Sequence, residues 1–216
     1  MDICSKTDIL GLNMTGIITG DIIRSGRDLS NPKWLEILKT QLSTLSIDNT
    51  SWDIYSGDSF QLEVNPADGL TTMLLIKSLL IFKADINVRM ALGIGEKEYS
   101  GDSISESNGE AFVYSGRLLD ELKTETLAIR SSNQEFDETI NLMIDLGLLT
   151  IDRWTQNSAE AVYYFLSNEV ETQKQLADKL GISQGRISER LSRAGYDQII
   201  KLDHYYRKYF NQNLHN

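Results

Sequence analysis

Two aspartates, each directly after a glycine, are the residues best suited to chemistry in this chain. Gly20-Asp21 closes the run Gly16-Ile17-Ile18-Thr19, and Gly57-Asp58 follows Trp52-Asp53-Ile54-Tyr55-Ser56. Glycine accepts backbone angles that other residues avoid, so each pair reads as a tight turn presenting a carboxylate. If the two strands are neighbours, the carboxylates converge and repel. The relief is a divalent cation, a shared proton or a basic partner, and Mg2+ or Mn2+ is the expected ion. Arg24 and Arg27 follow the first pair within a polar loop, where they could contact an anion beside the carboxylates. The alternative is that both aspartates only hydrogen-bond to their own loops.

The elements that must position this pair can be read from periodicity. Met14 to Thr19 forms a first strand that stops at Gly20-Asp21. Pro32 in the first turn and Trp34, Leu35, Leu38, Leu42 and Leu45 at helical spacing predict a helix that ends before Asp48-Asn49-Thr50. A second strand spans about 51–55. Phe60, Leu62 and Val64 alternate with Gln61 and Glu63, so a third strand completes a hairpin turning near Gly57-Asp58. Leu70 to Phe82 is the most apolar helix. Val88, Met90, Leu92 and Ile94 share one face of a strand that Gly93 and Gly95 end. Helix 110–122, with Phe112, Val113, Gly116, Leu119 and Leu122 inward, and strand 127–130 complete the set. The order β-α-β-β-α-β is that of a ferredoxin-like layer, a sheet with helices mainly on one side.

Composition narrows the function classes. The chain has 216 residues, a formal net charge of -10 and 41% hydrophobic residues, enough for one large domain or a medium and a small one. A single cysteine, Cys4, excludes an intrachain disulfide and a cysteine-based zinc site. The only histidines are His204 and His215, so the first part holds no histidine triad. Lys77 splits the longest apolar stretch, which is too short to span a bilayer, and a cytoplasmic, non-membrane protein is expected. Residues 155–216 carry 8 Lys and Arg against 7 Asp and Glu, so the acidity lies in residues 1–154. Any contact with a polyanion is therefore local and near the C-terminus.

Four motifs between residues 14 and 130 carry a resemblance. They are Gly20-Asp21-Ile22, Gly57-Asp58-Ser59-Phe60, Val88-Arg89-Met90-Ala91-Leu92-Gly93-Ile94-Gly95 and Gly109-Glu110-Ala111-Phe112-Val113-Tyr114-Ser115-Gly116-Arg117-Leu118. In this order they resemble the palm-type domain of class III nucleotide cyclases and, more closely, the bacterial SatD-type family. The resemblance implies Asp21 and Asp58 as ligands of two metal ions that activate a hydroxyl and hold a triphosphate. It also implies Arg117 as a contact to the reacting nucleotide. The chain departs from the cyclase pattern at Val113, where that family has asparagine, and at Ile54, where it has the base-reading lysine. Neither side chain can donate a hydrogen bond.

A second, contiguous signal lies at 172–191. Thr172 is suited to cap a short helix that buries Leu176, Ala177 and Leu180. Gly181 supplies a left-handed turn position. Ser183 caps a following helix anchored by Ile187 and Leu191. The stretch resembles bacterial helix-turn-helix regulators, in which the second helix enters the major groove of double-stranded DNA. That resemblance exposes Gln184, Gly185, Arg186, Ser188, Glu189 and Arg190. Gln184 and Arg186 are the expected base readers, and Lys174, Arg190 and Arg193 the expected phosphate contacts. Tyr196 to Phe210 is an aromatic-rich helix expected to cover this module and to reach a partner in a homodimer.

The expected architecture is thus α+β. A palm-like, ferredoxin-type domain (14–135) is followed by a helical linker (136–157) and an all-helical helix-turn-helix domain (158–212). Three functions fit: a DNA-binding regulator that senses a small ligand, such as a nucleotide with a divalent ion, a metal-dependent nucleotide-processing enzyme, or a non-catalytic assembly protein.

Overall fold

The computed structural model describes residues 14–23, 33–55 and 57–214. Among them, β1 (Met14–Ile23), β2 (Trp52–Tyr55), β3 (Ser59–Val64), β4 (Asn87–Tyr99), β5 (Asn108–Gly109) and β6 (Leu127–Arg130) form one sheet. The order is β2-β3-β1-β4-β5, with β6 added beside β4. All these pairings are antiparallel except β4 with β6. The long central β1 therefore has β3 on one side and β4 on the other. Helix α1 (Lys33–Leu45) carries the chain from β1 across to β2, and the hairpin returns β3 into the gap between them.

Alternation along the strands divides the sheet into two unlike faces. Ile18 and Ile22 of β1, Phe60 and Leu62 of β3, and Val88, Met90 and Leu92 of β4 share the apolar face. On it pack α1, through Trp34, Leu38 and Leu42, and α2 (Gly69–Ala84). Twelve of the sixteen α2 residues are buried, because α5 (Gln156–Leu166) covers its far side; Phe82 meets the rings of Tyr163 and Tyr164 at 6.4 and 5.9 Å between centroids. The opposite face carries α3 (Glu110–Glu121). Helices thus cover both faces, where a one-sided layer was expected. Gly93 and Gly95 permit this. A Cβ on Gly93 would lie 2.1 Å from the Ala111 carbonyl oxygen, and one on Gly95 2.8 Å from the Glu110 Cβ. These glycines do not end the strand, which runs on to Tyr99; they let α3 lie against it. Val113, expected inward, is exposed, and Ala111, Ser115 and Leu118 are the buried side of α3.

The rest of the chain is helical: α4 (Gln134–Ile151), α5, α6 (Gln173–Leu180), α7 (Gln184–Ala194) and α8 (Tyr196–Asn213). Gly195, at φ 66°, turns the chain sharply from α7 into α8. Helix α8 folds back onto the first part of the chain. Tyr206 is fully buried, stands 6.1 Å from the Phe136 ring, and donates its hydroxyl to the Pro66 carbonyl. Burial pushes its phenol far above the usual range, so it remains a neutral donor. Arg207 joins Asp68 and Thr71 of the first part with Asp203 of its own helix. The aromatic stripe expected to cover the C-terminal module and reach a dimer partner packs on the sheet domain of its own chain. One apolar cluster runs from Ile18 to Leu214.

A buried lysine closes the opposite end. Lys77 has no exposed surface and donates to Asn87 at 2.6 Å and Thr126 at 2.9 Å, with Asp152 at 2.8 Å. Burial pushes its ammonium below the usual lysine range, and Asp152 opposes that shift. Removing one partner of such a pair typically costs about 3–5 kcal/mol. Among the described residues no helix is long and apolar enough to cross a membrane.

Candidate functional site

The α3 face of the sheet is polar at one end, and the register explains why. Tyr55 lies opposite Ser59, Ser59 opposite Asp21, and Asp21 opposite Arg89. Four polar side chains from four adjacent strands thus stand in one row. Directly opposite residues in a sheet have Cβ atoms about 5 Å apart, close enough to pair. Arg89 uses that proximity: its Nε donates to Asp21 Oδ1 at 3.0 Å and its Nη2 to Oδ2 at 2.5 Å. The remaining Nη1 donates to the Leu122 carbonyl at 3.1 Å. The Asp21 carboxylate raises the Arg89 pKa still further.

A pocket of about 420 Å³ opens between this row and α3, lined also by Thr19, Gly116, Leu119 and Asp120. Thr19 donates to Ser115 Oγ at 2.8 Å, which fixes α3 over the sheet. Gly116 has nothing within 4 Å of a built Cβ, so its face of the pocket is open. Burial raises the Tyr55 pKa, and Asp120, Asp21 and Asp53 raise it further. The phenol is a neutral hydrogen-bond donor over the physiological range. The described lining carries three hydroxyls, two carboxylates and one guanidinium. That set suits a hydroxylated or amine-bearing small molecule better than a polyphosphate, which two carboxylates would repel.

The two glycine–aspartate pairs differ from expectation in a specific way. Gly20-Asp21 is inside β1 and is not a turn. Gly20 is needed because a Cβ there would lie 2.6 Å from the Phe60 ring and 2.9 Å from the Arg89 carbonyl. Gly57 does form the hairpin turn, at φ 83°. The strands are adjacent, and the Ile22 N–H donates to the Asp58 carbonyl at 3.1 Å. The residue opposite Asp21 is nevertheless Ser59, and Asp58 lies one position further, outside the lining of the pocket. Both Asp21 oxygens accept from Arg89, so the guanidinium competes with any cation for this carboxylate. Among the described residues no three His, Cys, Asp or Glu side chains are grouped to hold a metal. Asp21 is thus engaged by Arg89, and Asp58 is not among the residues that line the pocket. Arg117 is exposed on α3 near Glu121, which it helps to keep ionised. Arg24 lies outside the described residues.

At the other end of the molecule, α6 and α7 form a compact pair. Thr172 caps α6 in a reciprocal box: its hydroxyl accepts from Gln175 N, and Gln175 Oε1 accepts from Thr172 N at 2.9 Å. Gly181 ends α6 at φ 66°, and the Ser183 hydroxyl accepts from Arg186 N to start α7. Leu176, Ala177, Ile187 and Leu191 are buried with Ala161 and Val170. Lys174, Gln184, Gly185, Arg186, Ser188 and Glu189 are exposed. Two expected contacts are otherwise engaged. Arg190 is half-buried and pairs with Glu160 of α5 at 2.7 Å, so it braces α7 against α5. Arg193 pairs with Glu189 at 2.6 Å.

Sequence reasoning missed Tyr55, Ser59 and Asp120 as pocket residues and Lys77 as a buried charge. The alternation of Ser59, Gln61 and Glu63 with apolar neighbours was the available signal for a polar sheet face. Compared with models of known protein families, the chain matches none, and no curated protein matches it.

Proposed function

We propose that the protein is a DNA-binding regulator in which α6 and α7 act as a helix-turn-helix and the ferredoxin-like, palm-type sheet domain supplies a ligand pocket. The observation that carries this reading is the α6–α7 pair. Its core residues are buried on one side, and the first turn of α7 presents Gln184, Gly185 and Arg186 to solvent. Gln184 and Ser188 would face base edges from one flank of α7 and Arg186 from the other, with Lys174 on a phosphate. The pairing of Lys179, Arg190 and Arg193 with glutamates limits the electrostatic attraction and makes affinity modest. The ligand pocket is the Tyr55–Ser59–Asp21–Arg89 row beneath α3. Helix α8 joins α7 to the sheet domain, because α8 begins at the end of α7 and is anchored on Asp68 and Thr71. A SatD-type relationship rests on the four motifs alone.

Fluorescence anisotropy with a pool of genomic fragments tests the DNA reading. Arg186→Ala is expected to weaken specific binding by roughly 1–3 kcal/mol, and Lys174→Ala to lower the salt slope by about one. Unchanged binding by the Arg186 variant overturns the reading.

A second reading, metal-dependent nucleotide processing, is favoured by the adjacency of β1 and β3, which sets the two glycine–aspartate pairs on neighbouring strands. It requires Arg89 to release Asp21. Nucleoside triphosphate turnover with Mg2+ or Mn2+ that is lost in Asp58→Asn would establish it.

A further inference from the structure

Helix α4 has two apolar sides, and the fold uses only one. Phe136, Ile140, Ile144, Leu148 and Ile151 point into the core. On the far side Leu142, Leu146 and Leu149 are each 63% exposed. Exposed single leucines are ordinary, but three on one helix face are a contiguous patch. Their 4-3 spacing is that of a helix seam that packs knobs into the holes of another helix. Beside the leucines, α4, the end of α7 and α8 enclose a groove of about 750 Å³ whose walls include Met143, Leu202 and Tyr205. Gly147 keeps the α4 wall low; a Cβ there would meet only Ile151 and Leu202, at 3.5 and 3.7 Å.

The charges flanking the patch say what covers it. Along one edge lie Glu125, Asp145 and Asp152, which share a shallow depression with Leu149 and the single basic residue Arg153. Along the other edge lie Lys201 and Arg193, the latter paired with Glu189, on the groove wall. One edge is acidic and the other basic, with the leucines between them. A two-fold axis through the patch would bring the acidic edge of each copy onto the basic edge of the other, because in such a contact residue i meets j and j meets i. We infer that this face binds a second copy of the chain, with the leucine seam of each α4 in the groove of its partner. Helix α4 is about 27 Å long, sufficient to span an interface of standard size, about 800 Å² per partner. The inference does not depend on DNA binding, since it concerns the protein alone.

Sedimentation equilibrium of the full chain without DNA, at about 10 micromolar, tests it. The wild-type chain is expected to be a dimer. Leu142→Glu with Leu146→Glu should give a monomer, with at least a roughly tenfold weaker association and an unchanged far-ultraviolet spectrum, because both side chains are already exposed. Asp145→Lys and Lys201→Glu should each weaken the dimer, and the two together should restore it. A monomeric wild-type chain, or a leucine double variant that remains dimeric, overturns the inference. No recovery in the charge-swapped double variant overturns the two-fold pairing.

Discussion

The same dipeptide, glycine followed by aspartate, does two different jobs in this molecule. At Gly57-Asp58 the glycine is needed for its backbone freedom: φ is 83° and a built Cβ meets nothing within 4 Å. At Gly20-Asp21 the backbone is ordinary strand, and the glycine is needed for its missing side chain, because the Phe60 ring occupies that space. The aspartates differ in parallel. Asp21 faces α3 and is clamped by Arg89 across the ladder. Asp58 sits in the hairpin turn, and its carbonyl extends the β1–β3 ladder. The first pair is tertiary in origin and the second local.

This contrast can be broken by mutation. The largest effect is expected for Gly20→Ala, which must push the Phe60 ring and the Arg89 carbonyl aside; urea denaturation should show a loss of about 3 kcal/mol, at the top of the range for overpacking. A loss under about 1 kcal/mol would mean that Gly20 is not packed as described. Next comes Arg89→Ala, which leaves Asp21 facing Tyr55 and Asp120 without its cation. Both partners are partly exposed, so the expected loss is roughly 1–2 kcal/mol, and it should shrink in high salt. In the same variant Asp21 becomes available to a cation. Calorimetric titration with Mn2+ should therefore show tighter binding than to the wild type if the second functional reading is correct. The smallest effect is expected at Gly57. Gly57→Ala should cost about 1 kcal/mol through backbone strain, and Gly57→Asn only a few tenths, because asparagine tolerates positive φ.

The helical half was largely legible because its signals are local. The capping box at Thr172, the left-handed Gly181 and Gly195, and the Ser183 cap each need only a few neighbouring residues, and all four occur as the residue types suggest. The adjacency of β1 and β3 is only conditional in the sequence, and the pairing of Gly16–Asp21 with Ser59–Val64 supplies it. The Tyr55–Ser59–Asp21–Arg89 row was not legible. It depends on the register of three strand pairings, and a slip of one residue moves every side chain to the other face. Lys77 was equally hidden, since a lysine in an apolar helix reads as a solubilising break until Asn87, Thr126 and Asp152 are brought around it.

By itself the sequence determined which segments become helix or strand, where the C-terminal helices are capped, and which residues line the α6–α7 core, because capping, turn conformation and apolar periodicity act over a few residues. Only the tertiary structure decided that Asp21 meets Arg89, that α8 returns to the sheet domain through Tyr206, and that α4 keeps a leucine seam facing outward. Each of those outcomes joins residues far apart in the chain. Close packing and register select among many partners there, and the order of residue types alone does not name which one wins.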